Sequence, residues 1–394
     1  MNHLSYRDTW AEISLDHIKN NYLQFRKFVQ PEAKIMAVVK ADGYGHGAVE
    51  IARTSLQSGA DYLAVALLDE AIQLREAGIS QPILVLGYTP IRSVRAAIIQ
   101  NITLTVFDHD VLDEIIIQSD RLSKSAPIHL KIDTGMSRIG VSSPEEAVIL
   151  AYKAISDPNV YLEGVYTHFA AADNEDTTFT YTQFQRFQSV IKYLENKNIS
   201  VPIKHCCNSA ATMKFPDMHL DMVRIGVALY GLYPDVSLKN HPIQLRQAMS
   251  FKTKIAALKK VSASQPISYG CTWNPDRESI IATLPLGYAD GLSRLLSNRG
   301  KVLIHGQKSA IAGRVCMDQT MVDVTDIKNC SVGDVVSIFG KSSSSFQSVD
   351  EIAQLMGTIN YEVVCLIGKR VPRVYDNDSE LFKLAENVQS NMLI

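Results

Sequence analysis

Continuous apolar runs, rich in β-branched residues, recur through the first 231 residues of the chain. Eight such runs follow one another at intervals of about 20 to 40 residues. Continuous rather than alternating apolar runs are typical of parallel strands that are buried on both faces. The pattern therefore predicts eight strands, at 36–41, 62–67, 82–87, 103–107, 128–133, 163–168, 203–208 and 222–231.

Most of these predicted strands are followed by a stretch in which apolar residues recur at spacings of three and four among charged ones. That spacing is typical of helices with one buried face. It predicts helices at 48–60, 69–77, 91–99, 111–118, 144–154 and 178–196. Eight alternating strand and helix units predict an α/β fold, a TIM (β/α)8 barrel. A doubly wound open sheet is the alternative, because the sequence does not show closure, but the count of eight favours the barrel.

The pattern changes after about Pro242, where helical spacing disappears and short alternating runs begin. These runs predict a mostly β C-terminal domain. Its predicted strands are 249–261, 279–286, 301–305, 310–315, 320–324 and 335–339. Ser348 and Glu351 form a capping box that predicts one short helix at 351–356. The serines at 342–345, just before it, predict a flexible loop.

The composition of the 394 residues is that of a globular protein, with 46% hydrophobic and 20% charged residues. Lys and Arg number 39 against 41 Asp and Glu, so neither nucleic acid nor a membrane surface is expected as a partner. The longest apolar runs are far shorter than the roughly 20 residues that span a bilayer. The first ten residues show no signal peptide pattern, which favours a cytoplasmic protein. The six cysteines include no CxxC pair, which predicts free thiols and no metal site.

Polar and reactive residues stand at the ends of five predicted barrel strands, where barrel enzymes carry their active sites. These residues are Lys40, Lys131, His168, Asn208 with Ser209, and Arg224. Lys40 closes an apolar run, so its amine would lose its proton more readily and could form a Schiff base. Taken alone, a strand-end lysine that reaches solvent is the simpler interpretation. Gly43, Gly45 and Gly47 change the balance, because they let the backbone approach a ligand closely.

Two of these positions keep two interpretations each. Asn208 and Ser209 follow the seventh strand, where barrels often bind phosphate, but an Asn-Ser pair is also a common helix cap. Gly226 would let the backbone pack against the same anion. Arg224 lies inside an apolar run, so its charge needs a partner. That partner is either a structural carboxylate or the ring nitrogen of a cofactor.

Together these segments resemble the alanine racemase family, pyridoxal phosphate enzymes that interconvert L- and D-alanine. The matching motifs are 9–13, 37–47, 131–140, 167–169, 208–211, 223–226, 313–319 and 359–362. The resemblance implies a cofactor-binding barrel at 14–242 and a mostly β domain at 243–394 that residues 1–13 join. It also implies a cytoplasmic homodimer with shared active sites that supplies D-alanine for peptidoglycan.

The resemblance assigns two bases and a substrate site. Lys40 would hold pyridoxal phosphate as a Schiff base and, once the substrate has released it, act as the base on the D face. Tyr269, supplied by the other subunit, would be the base on the L face. A racemase needs two such groups because the proton leaves one face of a planar carbanion and returns to the other. Arg138 and the backbone at Met317 would bind the substrate carboxylate.

The resemblance also implies a set of cofactor contacts. The expected phosphate ligands are Tyr44, Ser209, Gly226, Val227 and Tyr361, with Asn208 beside them. Arg224 would face the pyridine nitrogen. Because an arginine keeps its proton, that nitrogen would stay unprotonated and the cofactor would be a weaker electron sink. His168 would link Arg224 towards Tyr269 by hydrogen bonds.

Several residues would support this site. Lys131 matches the family's carbamylated lysine, whose negative charge could orient Arg138. The other supporting residues are Tyr288, Cys316 and Asp318, of which the first two would influence the pocket width. The chain departs from the family's pattern at 42–43, where Asp-Gly replaces the commoner Asn-Ala, and at 206–207, where two cysteines precede Asn208.

Three other functions stay open at this point. A racemase that also accepts serine differs only in pocket width. A decarboxylase of basic amino acids shares the architecture but places a carboxylate against the pyridine nitrogen, so Arg224 argues against it. A protein that carries pyridoxal phosphate on Lys40 without turnover would not need a second domain with Tyr269 and Met317.

Overall fold

The computed structural model describes residues 6–375, which form two compact units. One unit consists of Ile18–Gly43 and Gly47–Arg246, and it is built around parallel strands. The other combines the described residues up to His17, the short segment Tyr44–His46, and the described residues from Gln247 onward. We call them the barrel unit and the β unit.

The barrel unit has eight parallel strands, of which the first seven pair in chain order and the eighth pairs with the first. They are Lys34–Val38, Tyr62–Val65, Ile83–Val85, Thr103–Val106, Ala126–Lys131, Val160–Tyr166, Ile203–His205 and Met222–Ile225. Backbone hydrogen bonds from Asp221 to Lys204 (3.1 Å) and from Arg224 to Cys207 (3.0 Å) join the seventh strand to the eighth. The TIM barrel prediction is confirmed, and the open-sheet alternative is wrong.

Eight α-helices accompany these strands within the described residues. They are Leu15–Phe28, Ala48–Gln57, Leu68–Glu76, Val94–Ile99, His109–Leu122, Pro144–Ile155, Thr178–Asn196 and Ser209–Lys214. Asp108 and Ser143 cap two of them by accepting hydrogen bonds from backbone N–H groups. The six predicted helices are present, and Thr178–Asn196 has the predicted bounds. Among residues 6–375 no helix is both long and apolar enough to cross a membrane.

All eight barrel strands end before their predicted last residue, and for the last two the structure shows the cause. The seventh stops at His205, because Asn208 caps the following helix and so cannot continue the strand. The eighth stops at Ile225, because Val227–Tyr230 turns into a 3-10 helix. The polar residues at these two ends therefore lie on turns that leave the barrel strands.

The β unit contains two sheets. The larger has the strand order Gln307–Ala310, Lys301–Ile304, Val335–Ser342, Met249–Lys254, Thr9–Ile13 and Arg373–Tyr375, with Ser345–Gln347 paired to Val335–Ser342. The smaller has the order Ala257–Val261, Ser279–Leu284 and Thr320–Asp323. The β unit also contains the α-helices Val349–Met356 and Asn360–Cys365. The mostly β second domain is thereby confirmed, and its larger sheet includes the N-terminal strand Thr9–Ile13.

Three local predictions in the β unit need correction. The run 249–261 is two strands that belong to different sheets. The strand expected at 310–315 is wrong, because His305 and Gly306 form a hairpin turn with positive φ that places the strand at Gln307–Ala310. The expected flexible loop 342–345 is also a paired hairpin end. The capping box of Ser348 and Glu351 is confirmed, although the helix already begins at Val349.

Candidate active site

Lys40 lies two residues beyond the first barrel strand, at the start of a left-handed turn. Ala41, Asp42 and Gly43 have φ values of 53°, 53° and 60°. For residues other than glycine this conformation costs about 1–2 kcal/mol each. Hydrogen bonds hold the turn: Gly43 N–H donates to Val39 O (2.9 Å), and Asp42 Oδ1 accepts from a backbone N–H (3.0 Å). The half-buried Lys40 is therefore fixed by a strained but well-bonded backbone.

Arg224 is the centre of the polar cluster in the barrel unit. It is 3% exposed. Its Nη1 donates to Nδ1 of His205 (2.9 Å), and its Nη2 lies 3.0 Å from Nδ1 of His168. Nη2 also donates to the carbonyls of Thr167 (2.9 Å) and Cys206 (3.0 Å). Within residues 6–375 no carboxylate is bonded to Arg224, so a structural carboxylate is not its partner.

The two histidines bonded to Arg224 are neutral. Burial holds the pKa of His168 and of His205 well below the ordinary value, and the charge of Arg224 lowers both further. Since arginine only donates, Nδ1 of each ring must accept, and the proton of each ring is on Nε2. His168 thus presents an Nε2–H donor. The Nε–H of Arg224 has no hydrogen-bond partner among the described residues, so it is available to an acceptor.

Lys131 lies close to this cluster and is 4% exposed. Its Nζ is 4.7 Å from the centre of the Tyr166 ring, and the guanidinium carbon of Arg224 is 5.4 Å from the same ring. Burial places the pKa of Lys131 well below the ordinary value, with Arg224 and Arg138 lowering it further while Asp133 opposes them. Lys131 therefore loses its proton more readily than an ordinary lysine.

Asn208, Ser209 and Gly226 meet at the ends of the last two barrel strands. Asn208 Oδ1 accepts from Ala211 N–H (3.0 Å), so the helix cap interpretation is right for Asn208. Ser209 Oγ accepts from Gly226 N–H (2.9 Å), which leaves its own hydroxyl proton to donate. The helices Ser209–Lys214 and Val227–Tyr230 begin here, and first-turn N–H groups have no partner inside a helix. These donors suit an anion such as phosphate.

Tyr44 and Tyr361 come together in the β unit. Their ring centres are 6.3 Å apart and tilted by 55°. Tyr44 is 7% exposed, and burial raises the pKa of its hydroxyl. Gly45 follows with φ +80°, and a Cβ there would lie 2.3 Å from Val364 O. The glycine therefore allows this segment to pack directly against the helix that carries Tyr361.

The other predicted residues of the β unit lie on three turns, which carry Tyr269, Tyr288 and Met317. Tyr269 is 72% exposed and Met317 is 52% exposed. Tyr288 and Ala289 donate backbone hydrogen bonds to Cys316 O (3.0 Å) and Met317 O (3.1 Å), which joins two loops. The remaining supporting residue is Asp318, which accepts from Arg370 at 2.7 Å.

Sequence reasoning missed residues that hold both clusters in place. In the β unit, the fully buried Asp290 accepts from Arg7 (2.6 Å) and from Gly287 N–H (3.1 Å). In the barrel unit, His205 bonds Arg224 directly, and His129 lies behind it. For His129 and His205 the available signal was a polar residue within a predicted buried strand, where its group must find a partner.

Residues 13–234 match the family model "Alanine racemase, N-terminal domain", and residues 248–375 match "Alanine racemase, C-terminal domain". "Alanine racemase 2" of Oceanobacillus iheyensis is 56% identical over 376 residues, which are 95% of each chain. The crystal structure of alanine racemase from Bacillus anthracis with bound L-Ala-P is 40% identical and has a TM-score of 0.90, covering 95% of this chain and 96% of that one. A structure of alanine racemase from Clostridium difficile is 42% identical with a TM-score of 0.91, covering 94% and 96%.

The fold, the cluster around Arg224 and these matches define an amino-acid racemase, an isomerase. The chain belongs to the alanine racemase family. The resemblance seen in its sequence motifs is thus confirmed along almost the whole chain. The serine alternative gains no support from these relatives.

Proposed function

We propose that this chain interconverts L-alanine and D-alanine with pyridoxal phosphate held on Lys40, and that the product serves peptidoglycan. The observation that carries the proposal is the state of Arg224. It is buried, bonded only to neutral acceptors, and keeps its Nε–H for a further acceptor. The decarboxylase alternative calls for a carboxylate against the pyridine nitrogen, whereas the residue that we propose for that place is an arginine with an N–H left to donate.

The residues present fit the cofactor. Ser209 keeps a hydroxyl proton and Val227 begins a helix, so both can donate to a phosphate. We propose Gly226, Tyr44 and Tyr361 as further phosphate ligands, with Asn208 fixing the first helix. When bound, pyridoxal phosphate withdraws electrons from the α-carbon of the substrate, which makes the α-proton removable. Arg224 would donate to the ring nitrogen without giving up a proton, which limits this withdrawal.

We propose that Lys40 and Tyr269 move the α-proton at opposite faces of the substrate. The amine of Lys40 would take or return it on the D side, held in place by the turn that follows. Tyr269 would do so on the L side of the other subunit's site in a homodimer. Its 72% exposure supports a role outside its own subunit. The Nε2–H of His168 is a suitable donor for stabilising a tyrosinate.

The substrate carboxylate would be bound by Arg138 and the backbone at Met317. We propose that the neutral amine of Lys131 adds to the carbon of carbon dioxide and releases one N–H proton to solvent. The product is a carbamate, an anion that orients Arg138. Its low pKa supports this, because only a neutral amine attacks carbon dioxide. An unmodified cation there would instead repel Arg138. Tyr288, Cys316 and Asp318 keep their predicted supporting roles.

We further propose a cytoplasmic location. All six cysteines are free thiols, which is typical of a reducing compartment.

A comparison of Lys40→Ala with Lys192→Ala tests the function. Lys192 is an exposed lysine on the helix Thr178–Asn196 and makes a matched control. Optical rotation after addition of L-alanine, and separately of D-alanine, should decay to zero for the wild type and the control but stay constant for Lys40→Ala. Borohydride should fix the cofactor onto Lys40 in the wild type.

Racemisation by Lys40→Ala without added amine would contradict the proposal. Carbon dioxide release from lysine, ornithine or diaminopimelate would support the decarboxylase instead. Bound cofactor without exchange of the α-hydrogen in heavy water would support the carrier.

A further inference from the structure

A chain of hydrogen bonds crosses the barrel unit from Arg224 to Glu163. Nη1 of Arg224 bonds Nδ1 of His205 (2.9 Å), and Nε2 of His205 bonds Nδ1 of His129 (2.8 Å). Nε2 of His129 then bonds Oε2 of Glu163 (3.1 Å), whose Oε1 accepts from the Tyr62 hydroxyl (2.6 Å). Each of these hydrogen bonds links side chains of two different barrel strands. The chain therefore connects the candidate active site to a carboxylate near the amino end of the barrel.

We propose that Glu163 is a positioning residue for the racemisation reaction, because through His129 and His205 it fixes the orientation in which Arg224 presents its guanidinium. The proposal deepens the function proposed above and rests on it for the role of Arg224.

Only one arrangement of protons satisfies every bond in this chain. Arginine has no acceptor and an ionised carboxylate has no donor, so both ends are fixed. His205 must accept at Nδ1 and donate at Nε2, and His129 must do the same. Every donor then points from Arg224 towards Glu163. Loss of the terminal acceptor would leave the Nε2–H of His129 buried without a partner, and that cost opposes the tautomer that the rest of the chain requires.

A change of tautomer at one ring is passed to the next. If His129 carried its proton on Nδ1, it would face the Nε2–H of His205, donor against donor. If His205 then changed as well, its Nδ1–H would face the N–H groups of Arg224. The barrel interior offers little water to relieve such a conflict, since both rings are fully buried. The guanidinium would have to turn away from His205, and its Nε–H would turn with it.

The charge state of the groups agrees with this arrangement. Burial lowers the pKa of both His129 and His205, so both rings are neutral. Hydrogen bonds from His129 and Tyr62 outweigh burial and lower the pKa of Glu163, so it is a carboxylate. The side chain of Glu163 is only 16% exposed, which limits competition from water.

The surrounding backbone is shaped to accommodate the chain. A Cβ on Gly164 would lie 2.6 Å from two ring atoms of His129, so only glycine leaves room for that imidazole. The register between the strands that carry His129 and Gly164 shifts between Ile128 and His129. The Tyr166 ring stacks on His205, with centres 4.7 Å apart and planes within 5°. Both rings of the chain are thus held in place independently of their hydrogen bonds.

Substitution of Glu163 tests the proposal in full-length protein as purified. Magic-angle spinning NMR with nitrogen-15-labelled histidine reports the tautomer of each ring, and His129→Gln and His205→Gln assign the signals. The wild type should show both rings protonated on Nε2. Glu163→Leu should give mixed tautomers. Glu163→Gln should keep the wild-type tautomers, since its carbonyl oxygen still accepts from His129. If Glu163→Leu does not fold, Glu163→Asp, which withdraws the carboxylate from His129, replaces it.

The kinetic arm uses the same variants. Glu163→Leu should lower kcat for alanine racemisation by about tenfold, with KM nearly unchanged, and raise the fraction of turnovers that end in transamination. Glu163→Gln should recover most of kcat. Tyr62→Phe, which removes a bond to Glu163 outside the chain, is the matched control and should resemble the wild type.

Unchanged tautomers in both Glu163→Leu and Glu163→Asp would overturn the proposal. So would altered tautomers with wild-type kcat and transamination, since the chain would then be structural only. If the wild-type protein itself does not racemise alanine, the proposed function fails, and the catalytic role of Glu163 fails with it. The tautomer measurement does not depend on racemisation and so separates these cases.

Discussion

Gly287 allows the loop that carries Tyr288 to pack against the loop that carries Met317. Its φ of −153° is open to any residue, so only space requires a glycine here. A Cβ at this position would lie 2.2 Å from Cys316 O and 2.4 Å from Met317 O. Gly287→Ala should therefore push the loop with Met317 away and break the backbone bonds that Tyr288 and Ala289 donate to it.

The size of the effect follows from these contacts. Overpacking of a close contact costs about 1–3 kcal/mol. Loss of each of the two backbone hydrogen bonds lowers the free energy of unfolding by about 0.5–1.5 kcal/mol. We expect Gly287→Ala to lower the free energy of unfolding by roughly 2–6 kcal/mol. If Met317 binds the substrate carboxylate, KM for alanine should rise on the order of tenfold, since 1.4 kcal/mol of binding corresponds to that factor.

Gly333→Ala is the matched control in the same unit. Gly333 has φ +92°, and a Cβ there would meet nothing within 4 Å. Its cost is only the left-handed backbone, about 1–2 kcal/mol, offset by about 0.4–1 kcal/mol because the unfolded alanine chain is less flexible. The urea midpoints and KM of both variants decide the matter. The reasoning is refuted if Gly287→Ala unfolds at the same midpoint as Gly333→Ala and binds alanine as the wild type does.

Three further predictions concern the barrel unit. The pKa values of His168 and His205 are low in the folded state, so the unfolded chain binds more protons than the folded chain below about pH 6.5. The free energy of unfolding should therefore fall there by up to about 1.4 kcal/mol per pH unit for each histidine. Urea titrations from neutral to acidic pH measure this, and a flat profile would contradict it. Asp42→Ala should destabilise the protein by about 1 kcal/mol, because it removes the Oδ1 that accepts from Ala48 N–H. Asp42→Asn keeps an acceptor and is the control. Equal urea midpoints for the two variants would be evidence against this role of Asp42. Labelled bicarbonate should give a carbamate carbon-13 signal in the wild type that Lys131→Met lacks, and identical spectra would exclude carbamylation.

The barrel could be predicted because its strands are buried on both faces and so read as continuous apolar runs. The helix Leu15–Phe28 was missed although Ile18, Tyr22 and Phe25 are buried with helical spacing. Its buried face also includes Asn21, which looks like a surface residue in the sequence. Asn21 donates to the carbonyls of Leu229 and Arg246, partners more than 200 residues away, which no local pattern shows.

The site could be predicted residue by residue but not as a network. Arg224 was recognised as a buried charge that needs a partner, yet its partners come from two other strand ends, His205 with Cys206 and Thr167 with His168. Their identity depends on barrel closure, which the sequence does not encode locally. Glu163 was missed for the same reason, because its partner His129 lies on the neighbouring strand.

The chain of hydrogen bonds from Arg224 to Glu163 explains why Arg224 is bonded to histidines and not directly to a carboxylate. A buried guanidinium loses several kcal/mol of hydration, and a directly bonded carboxylate would be the usual compensation. Such a carboxylate would also compete with a cofactor nitrogen for the guanidinium and weaken the remaining donor. Two neutral imidazoles satisfy the N–H groups of Arg224 with dipoles instead, while the negative charge stays on Glu163 behind them. Arg224 is thereby held in one orientation and stays positively charged. Its Nε–H stays available to an acceptor.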